Sequence, residues 1–205
     1  MSRGATSFAE DTLHEERLGC MPEGFPRDLD LAIRRLINPD FPTPTRQFTD
    51  ITLVLEHDPA AFRALVEQMC QPFRAEPPDA LLCIESCGYL FGAPMALELA
   101  RPIVLARRAG KLPRATLRRA YESSGRARDP ERTMEIHGGA ILPGSHVLVV
   151  DDVLATGGTA LAALDLVEQA GGVPNGVSVA FELVRYHARR EIERRGVLLQ
   201  SAIRL

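Results

Sequence analysis

Apolar runs alternate along this chain with segments whose apolar positions recur at helical spacing. Ala80-Leu81-Leu82-Cys83-Ile84, Ile103-Val104-Leu105-Ala106, His146-Val147-Leu148-Val149-Val150 and Val177 to Val184 predict strands buried on both faces. Between them the spacing predicts helices from about Leu90 to Ala100 and from Ala160 to Ala170. Further upstream, Ile51 to Leu55 predicts a strand. A helix is expected next, because Asp58-Pro59 supplies a capping carboxylate and a proline at the first helical position, and Phe62, Leu65, Val66 and Met69 then form one apolar face. Leu31 to Ile37 predicts a short helix stopped by Asn38-Pro39, and the prolines between Asn38 and Thr45 predict an ordered loop.

Strands alternating with helices in this way imply an α/β fold, a doubly wound and mainly parallel sheet whose ligands bind beyond the carboxyl ends of the strands. The chemistry is therefore expected after Val150 and after Ile84. Two stretches stand outside the alternation. Arg107 to Arg132 carries nine basic residues against three acidic ones, with scattered Gly, Pro and Ser, and is expected to be a mobile basic excursion. Arg185 to Arg195 alternates Arg and Glu at helical spacing, as a solvated helix face does.

Composition narrows the class. A chain of 205 residues, 45% hydrophobic and 25% charged, can bury one substantial core, so a single domain over 27–205 is expected, with Met1 to about Pro26 as a partly disordered extension. No apolar run reaches bilayer length, and the first residues resemble neither a signal nor a transit peptide, which predicts a cytoplasmic protein without a membrane anchor. A formal net charge of −3 provides no general attraction for nucleic acid. Cys20, Cys70, Cys83 and Cys87 match no zinc or redox spacing, and the five histidines form no metal pattern.

The stretch Val147 to Thr159 is the most informative. It ends a buried run with Asp151-Asp152 and continues through Val153-Leu154-Ala155-Thr156-Gly157-Gly158-Thr159 into a helix. Adjacent carboxylates at a strand end are costly to desolvate unless hydroxyls, cations or a metal meet them. A glycine-rich turn at a helix N-terminus offers unpaired amides and a favourable dipole to a phosphate. A lone Asp-Asp or Gly-Gly would read as an ordinary capping turn. No Gly-Lys-Ser/Thr follows, so this is not a nucleotide-triphosphate P-loop.

The whole string resembles the phosphoribosyl pyrophosphate motif of type I phosphoribosyltransferases. The similarity continues through Phe41-Pro42-Thr43-Pro44, Phe48-Thr49-Asp50-Ile51, Tyr89-Leu90-Phe91-Gly92-Ala93-Pro94 and Arg107-Arg108-Ala109-Gly110-Lys111-Leu112-Pro113, and is nearest to the adenine phosphoribosyltransferases. The resemblance implies transfer of ribose 5-phosphate to a purine, with Mg²⁺ held mainly through pyrophosphate and ribose rather than by a protein cage. It implies that Asp151 and Asp152 contact the ribose hydroxyls and that Ala155, Thr156, Gly157, Gly158 and Thr159 cradle the 5-phosphate. Phe48 would stack on the base, backbone groups at Arg46 and Gln47 would read its edge, and Leu183 would close the opposite face. Glu85, Ser86 and Cys87 would form the pyrophosphate turn, with a cis peptide between Glu85 and Ser86. Arg107, Arg108 and Lys111 would neutralise the leaving group, and Glu122 would be the carboxylate of a closing loop that runs from Gly110 to about Arg132. A homodimer is also implied. The pattern departs from the family at Cys87, where an arginine is usual, and around Tyr121-Glu122-Ser123-Ser124-Gly125, where Glu-Tyr-Gly is usual. Another purine as acceptor, or a regulator that binds phosphoribosyl pyrophosphate without turnover, therefore stays open.

Overall fold

The computed structural model describes residues 38–43, 46–50, 52–121 and 132–205; for 38–43 and 46–50 and for Thr52, Leu53 and His57 it describes the backbone alone. The chain divides into two compact units, Met1–Phe62 and Arg63–Leu205. The helix expected over Leu31 to Ile37 and the extension before Pro26 lie outside the described residues.

In the first unit, β1 (Asn38–Thr43) pairs antiparallel with β2 (Arg46–Asp50), bringing Phe41 opposite Phe48 and Pro42 opposite Gln47, with an irregularity between Asn38 and Phe41. The expected loop is thus a strand. Proline is tolerated there because a two-stranded ribbon leaves one side of each strand without ladder partners. The expected strand Ile51 to Leu55 is also overturned, since Thr52–His57 forms a short helix, α1. Five apolar residues cannot by themselves distinguish a strand from one and a half helical turns. The cap at Asp58 is as expected: its Oδ1 accepts the Ala61 amide at 2.9 Å, and α2 (Pro59–Cys70) follows.

The second unit is built on a seven-stranded sheet. Its strands are β3 (Ala80–Ile84), β4 (Ile103–Arg108), β5 (Thr116–Ala120), β6 (Thr133–His137), β7 (His146–Leu154), β8 (Val173–Glu182) and β9 (Leu199–Arg204), in the order β5-β6-β4-β3-β7-β8-β9. The β4, β3, β7, β8 and β9 strands run parallel, and β5 and β6 join antiparallel at one edge. The helices α3 (Gly88–Leu99) and α4 (Gly158–Gln169) connect the central strands. The core on the α4 side joins Ala163, Leu164 and Val167 to Leu82, Val104, Ile136, Val149 and Val177, all buried. On the α3 side, Gly92 lies so close to Cys83 that a methyl group added there would meet the sulfur at 2.2 Å.

Three details differ from the sequence reading. The basic excursion is not wholly irregular, because Thr116–Ala120 forms β5 and pairs with β6 from Thr116 opposite His137 to Ala120 opposite Thr133. The strand carrying the acids does not stop at Val150; pairing with β8 continues through Val153 opposite Phe181 and Leu154 opposite Glu182. Arg185 to Arg195 is not simply a solvated face. It comprises a turn of 3₁₀ helix (Val184–Tyr186) and a short helix, α5 (Ala188–Glu193), whose Arg189 bonds inward to the buried Glu182.

Candidate active site

The carboxyl end of β7 supplies the acids. Val147 to Val150 are fully buried between β3 and β8, and Asp151 is only 7% exposed. Its Oδ1 accepts the Asp152 amide at 3.0 Å and its Oδ2 accepts the Thr159 hydroxyl at 3.4 Å. Burial, and then the neighbouring charge of Asp152, push the Asp151 carboxyl well above the ordinary carboxylate range. A buried carboxylate with so few donors is poised to accept hydroxyl groups from a ligand. Thr156 and Gly157 then turn the chain into α4. Gly157 caps this helix at φ 85, a backbone region that glycine enters without steric cost. The first amides of α4, beginning at Gly158 and Thr159, have no intrahelical acceptors and are free to meet an anion.

The second turn, Glu85 to Gly88, leads from β3 into α3 and contains a cis peptide between Glu85 and Ser86. It abuts the acids directly: a Cβ on Gly88 would sit 3.0 Å from the Val150 carbonyl oxygen and 3.1 Å from Asp151 Oδ1. Cys87 immediately precedes α3, its Sγ 4.0 Å from Ser86 Oγ. Burial and then Asp152 raise its thiol pKa, so a neutral thiol occupies the turn.

Cations arrive from β4. Glu85 Oε2 accepts the Arg108 amide at 2.9 Å and lies 3.4 Å from Arg107 Nε. Burial alone would raise the Glu85 carboxyl, but the Arg108 amide and the Arg107 guanidinium hold it low. Arg107 also donates through Nη1 to the Lys111 carbonyl at 3.2 Å, so this guanidinium braces the turn, while the Arg108 and Lys111 side chains are exposed. Behind them stands Glu135, with no accessible surface, accepting the amides of Lys111 and Leu112 at 2.9 and 3.0 Å, the Thr116 hydroxyl at 3.2 Å and Arg118 Nε at 3.0 Å. Burial pulls this carboxyl up, yet the surrounding backbone amides and the Thr116 hydroxyl hold it at about 2.

Glu85, Arg107, Arg108 and Thr159 line one small cleft with Tyr121, so three of the expected segments converge. Leu183, buried, follows β8 and donates its amide to the Leu154 carbonyl at 2.9 Å. A larger cavity of about 530 Å³ opens beside Thr156 and is walled in part by Glu182, Tyr186, His187 and Arg189. Arg46, Gln47 and Phe48 lie in β2, but their side chains are not described, and Glu122 lies outside the described residues. Glu135, Glu182 and Arg189 were not singled out from the sequence. The one available signal was an acid flanked by apolar residues, as in Met134-Glu135-Ile136 and Phe181-Glu182-Leu183, since such an acid must be paired if the strand is buried.

Comparison with known proteins agrees with this geometry. The family model described as a phosphoribosyl transferase domain matches residues 55–194. The adenine phosphoribosyltransferase of Thermobifida fusca is 43% identical over 159 residues, which cover 76% of this chain and 87% of that protein. That of a Nocardioides species is 47% identical over 150 residues, covering 71% and 78%. Among solved structures, the adenine phosphoribosyltransferase of Rhodothermus marinus superposes with a TM-score of 0.76 at 38% identity, covering 86% of this chain and 98% of that one. The Giardia lamblia enzyme in complex with 9-deazaadenine superposes at 0.78 with 32% identity, covering 86% and 97%. The acids of β7 and the glycine loop after them lie inside the matched region, and the chain belongs to the phosphoribosyltransferase family, among its adenine phosphoribosyltransferases.

Proposed function

We propose that this phosphoribosyltransferase moves ribose 5-phosphate from phosphoribosyl pyrophosphate to adenine, giving the nucleoside 5′-monophosphate and pyrophosphate. The observation that carries this reading is the contact of the buried Asp151 with the Glu85–Gly88 turn through Gly88, next to the glycine-opened N-terminus of α4. A ribose diol on the acids would then lie between a 5-phosphate at Ala155–Thr159 and a pyrophosphate at the turn. In the reaction the bond from the anomeric carbon to the pyrophosphate oxygen breaks, its electron pair leaving with pyrophosphate. A ring nitrogen of the base forms the new bond and gives up its proton to water. Positive character on the ribose ring in the transition state is offset by Asp151 and Asp152, and charge on the leaving group by Arg108 and Lys111.

The residues fit Mg²⁺ as a substrate-borne ion. Asp151 and Asp152 offer the hard oxygens it takes, but among the described residues no three His, Cys, Asp or Glu side chains converge, so ribose and pyrophosphate would complete its coordination. When bound it would neutralise pyrophosphate charge. For the acceptor, the apolar Leu183 at the end of β8 suits an uncharged purine better than an acidic oxopurine. The relatives' names and the 9-deazaadenine complex point the same way. The deciding experiment measures pyrophosphate release from phosphoribosyl pyrophosphate with adenine, guanine, hypoxanthine and xanthine offered separately. Adenine should exceed the others by at least about a hundredfold in kcat/KM, roughly the discrimination available to a shaped pocket. Preference for a different base would move the acceptor, and release with none would leave a binding protein.

We also infer a homodimer. Val104 and Ala106 pack toward α4, so Ile103 and Leu105 face the α3 side of the sheet, where both are exposed along with Leu90 and Leu97 of α3, the latter 84% exposed. Apolar residues this accessible on adjoining elements suit a self-complementary interface. Leu97→Glu should reduce the mass seen by sedimentation to that of one 22.5 kDa chain; an unchanged mass would rule out this face. No helix among the described residues is long and apolar enough to cross a membrane. The free thiols of Cys70, Cys83 and Cys87 suit a reducing compartment such as the cytoplasm.

A further inference from the structure

We propose that the ion pair between Glu182 and Arg189 positions the 5-phosphate loop, acting through Ala188 on Gly157. The proposal rests on the reading of Ala155–Thr159 as that cradle. Glu182 ends β8 and is 3% exposed. It accepts Arg189 Nε at 2.9 Å, Arg189 Nη2 at 2.5 Å and the Ser201 hydroxyl at 2.7 Å, and Arg204 Nε lies 3.3 Å away. The Arg189 guanidinium also donates to the Leu199 carbonyl at 3.1 Å and to Ser201 Oγ at 3.0 Å. One side chain of α5 is thereby fastened to the last residue of β8 and to the first half of β9.

Two further observations connect this fastening to the loop. The first is that α5 is six residues long, too short for a helix to hold itself in place, so its seat depends on what ties it down. The second is that its first residue, Ala188, forms the floor under Gly157: a Cβ on Gly157 would lie 3.1 Å from Ala188 Cβ and 3.8 Å from its Cα. Gly157 holds a left-handed backbone at the entry to α4, and the direction of the amides that follow is set there. Glu182, Thr156 and Arg189 also share the wall of the 530 Å³ cavity, so the fastening is adjacent to the loop, whereas no residue of the Glu85–Gly88 turn lines that cavity. Loosening α5 should therefore disturb phosphate binding selectively. Neither Glu182 nor Arg189 need touch substrate.

The test is calorimetric binding of ribose 5-phosphate and, separately, of magnesium pyrophosphate to the full chain, its Glu182→Gln variant and its Ala188→Val variant. The Val variant leaves the ion pair intact and presses on Gly157 from below, so it serves even where the Gln variant folds poorly. Both variants should bind ribose 5-phosphate about tenfold more weakly, the scale expected for displaced binding groups, with pyrophosphate binding within twofold of the parent. A parent protein that binds ribose 5-phosphate, together with variants that bind it equally well or lose both ligands alike, would overturn the proposal. A parent protein that binds pyrophosphate but not ribose 5-phosphate would instead overturn the cradle on which it rests.

Discussion

Asp151→Asn is expected to make the ligand-free protein more stable and the enzyme much worse. The parent carboxyl is buried, sits beside Asp152, and is held by one good and one long hydrogen bond. Its pKa in the folded chain lies well above its ordinary value, so keeping it ionised at neutral pH works against folding. Asparagine preserves the shape and the oxygen that accepts the Asp152 amide while removing the charge. A gain of about 1 kcal/mol would raise Tm by roughly 2–4 °C for a chain of this size. Ionisation costs nothing below the unfolded carboxyl's value of about 3.9, and the cost grows as pH rises from there toward the raised folded value. The stabilising effect of asparagine should therefore vanish below about pH 4 and grow as pH rises above it. Substrate binding should move the other way, because hydrogen bonds from ribose hydroxyls to a charged acceptor contribute about 1.5–3 kcal/mol, or roughly 10- to 100-fold in affinity for phosphoribosyl pyrophosphate. A variant less stable than its parent at pH 7, or one that binds the substrate normally, would contradict this account of the site.

Glu135→Gln should have the opposite effect on stability. Here the carboxylate is equally buried but fully supplied, accepting two amides, a hydroxyl and a guanidinium. Glutamine removes the charge and turns an NH₂ group toward donors, for an expected loss of about 2 kcal/mol. Because the folded carboxyl is held at about 2, below its ordinary value of about 4.3, its contribution is full above the latter and disappears as pH falls toward the former. Thermal unfolding followed from pH 6 to pH 2 should fall more steeply for the parent than for the variant across that window; parallel slopes would show that Glu135 does not carry the acid sensitivity. Turnover should fall as well, since the amides Glu135 holds belong to Lys111 and Leu112, at the base of the basic segment.

The string from Val147 to Thr159 was legible because its parts reinforce one another: four buried residues, two acids and a glycine turn at a helix start have few readings in common. The central parallel strands were legible for the same reason, since burial on both faces leaves continuous apolar runs. The edges were not. Thr116–Ala120 contains two arginines in five residues, and Leu199–Arg204 has buried residues only at Leu199 and Ile203, so neither carries the apolar signature of a strand. Their pairing is determined by neighbours distant in sequence. The 3₁₀ turn and α5 resisted reading because Arg189 differs from the arginines around it only in what it meets, the acid at the end of β8. Asn38 to Thr43 was misread because its prolines weigh against a strand in the middle of a sheet, whereas β1 lies in a two-stranded ribbon.

The antiparallel edge has a consequence for how molecules of this protein meet in solution. Among the described residues the sheet ends in β5, and an edge strand presents a row of backbone donors and acceptors on which another extended chain could build. Arg118 and Arg119 occupy that strand, one anchored to Glu135 and the other to Asp165 of α4. An incoming strand would have to crowd against these tethered guanidinium groups. Charged side chains on an edge strand disfavour strand-on-strand growth there.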